Sequence, residues 1–320
     1  MVKGLVSICV PVYNDSNYLV SSLNSLVNQT YRAIEIIVVD DGSDNQNHVR
    51  EVCQDLNDPR IIYSRQSNLG VSSALNYALD IAKGEYFCWL SHDDVYELSK
   101  IEKQVNILDK LDSVFIALYT GYKLIDKDSN IIGEVKLKDQ LGKAQTKLGP
   151  IEFGILHGCS IIMNLEVMRN IGKFDTNLKY VQDYDYWIRC IEGGVEFKYM
   201  DEALVLGRIH DKQVGVISDT SEENIKLWVR IVKEWCDEVI KENQGNVDLI
   251  KIKILDYLEF FKIHNKTENE IFFSQAKEYL EKELFKFNDG EKEYFKIKFI
   301  FKKILKKIKK YIILKKIYER

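Results

Sequence analysis

The sequence predicts an α/β protein, a sheet of parallel strands flanked by helices and followed by a helical C-terminal region. Three observations carry this. Apolar runs at Val6–Tyr13, Ile34–Val39 and from Tyr86 onward are continuous rather than alternating, the pattern of strands covered on both faces. Between them, apolar residues recur three and four apart, as in amphipathic helices. Strand and helix alternate, which calls for right-handed crossover units and a parallel sheet.

The first strand carries Pro11 near its end, where a ladder donor can be spared. Asn14–Asn17 is a polar turn, and Leu19, Leu23, Leu26 and Val27 mark a helix expected to begin near Asp15 or Ser16. Ile34–Val39 ends in paired acids, Asp40 and Asp41, followed by Gly42-Ser43. A helix then runs to about Leu56, where Pro59 stops it, and Arg60–Ser64 is a short third strand. Ser67–Ser72 is a glycine-bearing turn, and Ala74, Leu75, Ala78, Leu79 and Ala82 define the helix leading to Gly84. The pivot is Tyr86–Tyr96, YFCWLSHDDVY, an apolar run that stops abruptly in Asp93 and Asp94 before a helix from Ser99.

Beyond Lys110 the pattern loosens. Strands are expected at Val114–Thr120 and on both sides of the turn Asp126–Asn130, then a charged, mobile stretch at Lys136–Lys147 and a short strand at Gly158–Met163. Asp183–Cys190 starts a helix with an acid at its N-terminus, and Val195–Met200 and Ala203–Ile209 read as two strands, the second leading to His210. Trp187 and Arg189 read as helix packing and an ion pair, and His92 as an exposed turn residue; His48 and His264 have no companions at ligand spacing. After Thr220 the composition turns helical and highly charged. The expected organisation is a domain over 1–220 (halves of about 1–110 and 111–220), a helical region over 221–293 and a basic amphipathic helix over 294–320.

The six cysteines form no CxxC pair, and Cys9 and Cys88 fall inside strands, which suits buried, reduced thiols in a cytoplasmic protein. The N-terminus enters a strand with no leader pattern, so secretion is not expected, and no apolar run reaches spanning length. The net charge of −4 hides a division. Residues 294–320 hold ten lysines and Arg320 against Glu319, a net +10, so the remainder carries −14. Ile297, Phe301, Ile304, Leu305, Ile308 and Ile312 face away from Lys302, Lys303, Lys306, Lys309 and Lys310, the pattern of a helix lying in an anionic membrane surface. A helix docked on the preceding domain or on a second subunit is the other reading. Nucleic acid is not expected, because no reading fold accompanies the basic run.

Asp40-Asp41, Asp93-Asp94 and Asp183-Asp185 lie far apart in sequence, but the first two pairs follow strands. A parallel sheet brings such acids to its carboxyl edge, where open α/β folds bind ligands and a divalent ion can meet a diphosphate. No GxGxxG follows the first strand and no GxxxxGK[ST] occurs, which argues against dinucleotide and P-loop sites.

The motifs SICVPVYN, LNSLVNQTY, EIIVVDDGSDN, NLGVSSALNYALDIAKGEY, WLSHDD, IGKFDTNLKYVQDYDYWIRC and GRIH, in this order over about residues 6–218, resemble those of the family 2 glycosyltransferases. These are inverting, nucleotide-sugar-dependent enzymes of GT-A fold. The resemblance implies that Pro11 and Tyr13 line the base pocket, Asp41 accepts hydrogen bonds from the base, and Asn68 and Gly70 border the nucleotide. Asp93 and Asp94 correspond to the metal motif, one meeting ribose or metal and the other holding Mn2+ or Mg2+ on the diphosphate. Asp183 aligns with the general base toward the acceptor hydroxyl. His210 either completes the metal's ligands or closes structurally over the diphosphate.

Two positions depart from the family pattern. Ser91 stands where DxDD has its first acid, and Gln182 stands where many members have an acid beside the base, so one carboxylate fewer repels Asp183. The expected activity is transfer of a sugar, of hexosyltransferase class, from a UDP-sugar to a lipid-linked or surface-glycan acceptor in polysaccharide biosynthesis. The expected location is the inner face of the cell membrane, peripherally bound and open to oligomerisation. The competing readings are a non-catalytic membrane-associated scaffold of the same fold, and a sugar-phosphate nucleotidyltransferase, which wants a glycine- and basic-rich loop where Asn14–Asn17 stands.

Overall fold

The computed structural model describes residues 1–14, 17–45, 48–135, 156–210 and 223, all within the unit Met1–Glu223. The charged stretch Lys136–Lys147, the region 221–293 apart from Glu223, and the basic helix 294–320 lie outside the described residues.

In chain order the elements are β1 (Val2–Val12), α1 (Leu19–Val27), β2 (Ile34–Asp40), α2 (His48–Asp55), β3 (Ile61–Arg65), α3 (Val71–Ile81), β4 (Gly84–Trp89), β5 (Val95–Tyr96) and α4 (Lys100–Leu108). Then follow β6 (Ile116–Ile125), β7 (Ile131–Val135), a single 3-10 turn (Gly158–Ser160), β8 (Ile162–Asn164), α5 (Leu165–Ile171), α6 (Gln182–Glu192) and β9 (Glu196–Arg208). The described strands form one sheet in the order β3-β2-β1-β4-β8-β6-β9-β5, with β7 paired outside this path to β6.

The first half is the expected parallel layer. β1 pairs with β2 on one side (Val12 opposite Asp40) and β4 on the other (Cys9 opposite Trp89). Every residue of β2 is buried, as an apolar run covered on both faces requires. Helix α3 packs on β1 and β2, with Ala74, Leu75, Ala78 and Leu79 buried. Pro11 lies beyond the last residue that β4 pairs, so its missing N–H leaves no gap on that side. Cys9, Cys53, Cys88, Cys159 and Cys190 are free and buried.

The structure differs from expectation in four places. Gly158–Met163 is a 3-10 turn followed by a strand, not one strand, and the turn passes so close to the Trp89 ring that a Cβ at Gly158 would stand 2.7 Å from Cζ2. Val195–Met200 and Ala203–Ile209 form one long strand, β9, whose pairing with β6 shifts register at Gly121 and absorbs the two intervening residues. This β6–β9 pairing is parallel, whereas β8 runs antiparallel to β4 and β6. The central apolar run leaves the ladder after Trp89, and Val95–Tyr96 rejoins the sheet against β9. Helix α5, which the sequence reading did not assign, is capped by Asn164, whose Oδ1 accepts from the N–H groups of Glu166 and Val167.

Candidate active site

Because β1 lies between β2 and β4 and runs parallel to both, the acids after β2 and after β4 leave the sheet at the same edge. They play different parts. Asp40 is fully buried and structural: Oδ2 meets Arg65 and the Tyr63 hydroxyl, and Oδ1 accepts from Ser43 N. Asp41 accepts from Gln66 Nε2 (2.7 Å), Leu69 N (2.9 Å) and Gly70 N (2.8 Å), and so shapes the loop bearing Asn68 and Gly70. Gly42 makes this approach possible. Its φ is +77°, and a Cβ there would stand 2.5 Å from Asn68 N.

Beside this loop, Asn14 exchanges hydrogen bonds with Asp44 and donates its N–H to Ser43 Oγ, which holds the end of β1 against the acidic turn. The Tyr13 ring, 44% exposed, is left open next to Asp41, whose N–H donates to Val12 O. Pro11, Tyr13, Asp41, Asn68 and Gly70 therefore gather at the ends of β1 and β2.

Asp93 and Asp94 are 9% and 4% exposed. They do not cap α4, which begins after Ser99. Asp93 Oδ2 lies 3.0 Å from His210 Nε2, and Asp94 Oδ1 accepts from the main-chain N–H of Arg208 at 2.9 Å. Burial and the neighbouring Asp93 charge push the Asp94 carboxyl well above the usual carboxylate range, against the Arg208 hydrogen bond. The buried Arg208 guanidinium donates to Asp93 O and Asp126 O, both at 2.9 Å, and to Ser129 Oγ at 3.0 Å, and it lies over the Tyr18 ring. It braces the acid turn against the β6–β7 turn.

A second wall comes from His157–Cys159. Asp94 Oδ2 is 3.6 Å from His157 Nε2 and 3.6 Å from Cys159 Sγ. Burial lowers the His157 pKa to about 4, despite the opposing charges of Asp183 and Asp93, so the ring is neutral at pH 7. The Tyr96 hydroxyl lies between the carbonyls of Trp89 (2.5 Å) and Cys159 (2.9 Å), tying this turn to the end of β4.

Asp183 enters from the first turn of α6. Burial pushes its carboxyl up to about 6, while the Tyr184 N–H holds it down. Gly158 lies against it, since a Cβ there would be 3.4 Å from Asp183 Oδ2 and 2.7 Å from Trp89 Cζ2. The approach to α6 is held by Glu223, which accepts from the N–H groups of Lys179 and Tyr180. Trp187 is the packing residue expected, stacked on Trp89, and Arg189 pairs with Asp185 at 2.9 Å. His92, expected to be exposed, is half-buried in its turn.

Asp94 and Asp183 thus both meet the His157–Cys159 turn, and His210 joins the group through Asp93. The Tyr18 ring lies near both His210 and Arg208. Sequence reasoning missed His157, Cys159 and the bracing role of Arg208. Arg208 lies in the GRIH motif, and His157 and Cys159 form a His-x-Cys pair inside an otherwise apolar stretch.

The chain matches the sequence profile described as Glycosyl transferase family 2 over residues 7–172. It is 40% identical over 234 residues to an uncharacterized glycosyltransferase of Rickettsia typhi, covering 72% of each chain. It is 28% identical over 215 residues (66% of this chain, 80% of the other) to the Escherichia coli UDP-Glc:alpha-D-GlcNAc-diphosphoundecaprenol beta-1,3-glucosyltransferase WfaP. Other curated relatives are longer, and the chain spans 42% of the length of one of them. Among solved structures, Staphylococcus aureus TarS 1-349 in complex with UDP-GlcNAc superposes with a TM-score of 0.60 at 17% identity, covering 89% of this chain and 95% of that one.

Proposed function

Because this chain belongs to the family 2 glycosyltransferases and has their GT-A fold, we propose that it transfers a sugar from a UDP-sugar to an acceptor hydroxyl with inversion at the anomeric carbon. The observation that carries this reading is the position of Asp183. It is half-buried beside Gly158, in the same turn whose flanking residues His157 and Cys159 face Asp94.

With its pKa raised to about 6, Asp183 is ionised at neutral pH yet more basic than an ordinary carboxylate. It takes the acceptor hydroxyl proton as that oxygen forms a bond to the anomeric carbon. The bond to the diphosphate breaks on the opposite face, and its electron pair leaves with the nucleoside diphosphate. Base assistance of this kind contributes about 10²–10⁴-fold. Asp93, Asp94 and His210 are the residues that would hold Mg2+ or Mn2+. They fit it: two adjoining carboxylates are buried together, one with a strongly raised proton affinity, and a cation would offset their repulsion. Such a cation supplies Lewis-acid stabilisation of the departing diphosphate.

Tyr13 and Pro11 would receive the base, with the loop at Asn68 and Gly70 beside it. Asp41 has three of its acceptor positions occupied by that loop, which leaves one for the base. The name of WfaP and the UDP-GlcNAc complex of TarS support a UDP-sugar donor, and the name of WfaP supports a lipid-linked glycan acceptor. Among the described residues no helix is long and apolar enough to cross a membrane. We assign residues 294–320 to peripheral contact with the anionic inner face of the cell membrane, each lysine contributing roughly 1 kcal/mol there. The test is Asp183→Asn, which is expected to abolish transfer while UDP binding persists; full transfer by that variant would remove the base assignment.

A further inference from the structure

We infer that Asp94 Oδ2, His157 Nε2 and Cys159 Sγ form a binding site for a thiophilic divalent cation, zinc above all, on the inner wall of the acid cluster. The three atoms lie within 4.8 Å of one another, and Asp94 Oδ2 is 3.6 Å from each of the other two. Zinc bonds of about 2.0–2.3 Å in tetrahedral geometry separate neighbouring ligand atoms by roughly 3.3–3.5 Å, so a small inward turn of these side chains closes the set. A water or a ligand oxygen takes the fourth position.

The His157 ring leaves a nitrogen open on the side facing Asp94. Nε2 stands beyond hydrogen-bonding distance of Asp94, and among the described residues the buried Nδ1 has no partner, so in the tautomer protonated at Nδ1 the Nε2 lone pair is open to a cation. An imidazole in a protein wall normally satisfies at least one nitrogen. Gly207 leaves the space beside Nε2 free, since a Cβ there would come within 3.0 Å of it. On the sulfur side, Ser91 directs its N–H at Cys159 Sγ (3.3 Å) and sets its hydroxyl 3.4 Å away. These contacts support a metal-bound thiolate. Ser91 is also the position where the sequence departs from DxDD, and an acid there would repel the thiolate.

The mixed N, O and S donors favour zinc over Mg2+ or Mn2+, which prefer oxygen. On binding, the Cys159 S–H bond breaks, sulfur keeps the electron pair and bonds the cation, and the proton passes to solvent. If the reaction proposed above holds, zinc here takes Asp94 from the cation on the diphosphate and inhibits transfer.

The experiment titrates the full chain with Co2+ and follows the thiolate-to-cobalt charge-transfer absorption, with Zn2+ affinity measured by competition against a chromophoric chelator. Wild type is expected to bind one equivalent, with an absorption that Zn2+ abolishes and an equal concentration of Mg2+ leaves intact. Cys159→Ser should lose the absorption and bind Zn2+ at least about tenfold more weakly, and His157→Ala should weaken Zn2+ similarly while remaining coloured. Cys53→Ser should match wild type. No absorption in wild type, its persistence in Cys159→Ser, or an unchanged zinc affinity in His157→Ala would each overturn the site. If Cys159→Ser does not fold, His157→Ala decides. UDP binding with Mn2+, measured on the same samples, separates the two readings: its loss of metal dependence with an intact cobalt signal removes the reaction's metal and leaves this site standing.

Discussion

His210 Nε2 and Asp93 Oδ2 stand 3.0 Å apart, although 117 residues separate them in the chain. The contact exists because β9 runs toward the same edge at which the chain after β4 turns, and the Arg208 N–H fastens that end to Asp94. If the pair opens to share a cation, His210→Ala and Asp94→Ala should each weaken UDP binding in Mn2+ by about tenfold or more. Neither should alter the residual binding in chelator. Calorimetry in the two conditions checks this, and affinities equal to wild type in Mn2+ would count against the ligand roles.

The pH dependence follows from Asp183. A general base works only when deprotonated, so transfer should fall as pH drops through about 6. A profile flat down to pH 4 would contradict the assignment. Stability has the opposite sense. A carboxylate whose folded pKa is raised contributes stability that is full below the ordinary carboxylate pKa and lost as pH rises through about 6. Asp183→Asn should therefore melt higher than wild type at pH 8, by about 2–4 °C for each 1 kcal/mol relieved, with little difference at pH 4.

Gly158→Ala should disturb activity and stability together. Its Cβ would stand 2.7 Å from Trp89 Cζ2, and Trp89 cannot retreat easily because it stacks on Trp187 and meets the edge of Phe174. Overpacking of this kind costs about 1–3 kcal/mol. The turn that yields instead carries His157 and displaces Asp183. A lowered urea midpoint accompanied by a fall in kcat is expected; wild-type values for both would show that the turn relaxes freely.

Asp41→Ala removes the acceptor of three hydrogen bonds, two from main-chain N–H groups of the loop over 66–70. Groups left unpaired this way cost about 1–3 kcal/mol where water cannot replace the acceptor. UDP affinity should fall with or without metal, unlike the Asp94→Ala pattern. An affinity lost only in Mn2+ would place Asp41 with the metal ligands instead.

Most of the first half was legible in the sequence. The runs through Val6–Tyr13 and Ile34–Val39 are local signals, and the acid pairs that follow strands mark the carboxyl edge without any knowledge of tertiary contacts. The second half was legible in composition but not in path. Val195–Met200 and Ala203–Ile209 gave no sign that they continue one another, because the register shift that joins them is set by β6, whose paired residues lie 80 or more positions earlier in the chain. Helix α5 has too few turns for its period to stand out, and only the Asn164 cap betrays it.

The sequence by itself determined an α/β sheet, parallel in its first half, with carboxylates at one edge, because continuous apolar runs and strand-terminal acids are properties of neighbouring residues. Only the tertiary structure decided that His157 and Cys159 face Asp94, that Arg208 braces the acid turn, and that Asp183 lies against Gly158. Those contacts arise from pairing β4 with β8 and β6 with β9, strands whose partners no local pattern specifies. A histidine and a cysteine two apart in an apolar run look like core until the sheet carries them to a carboxylate.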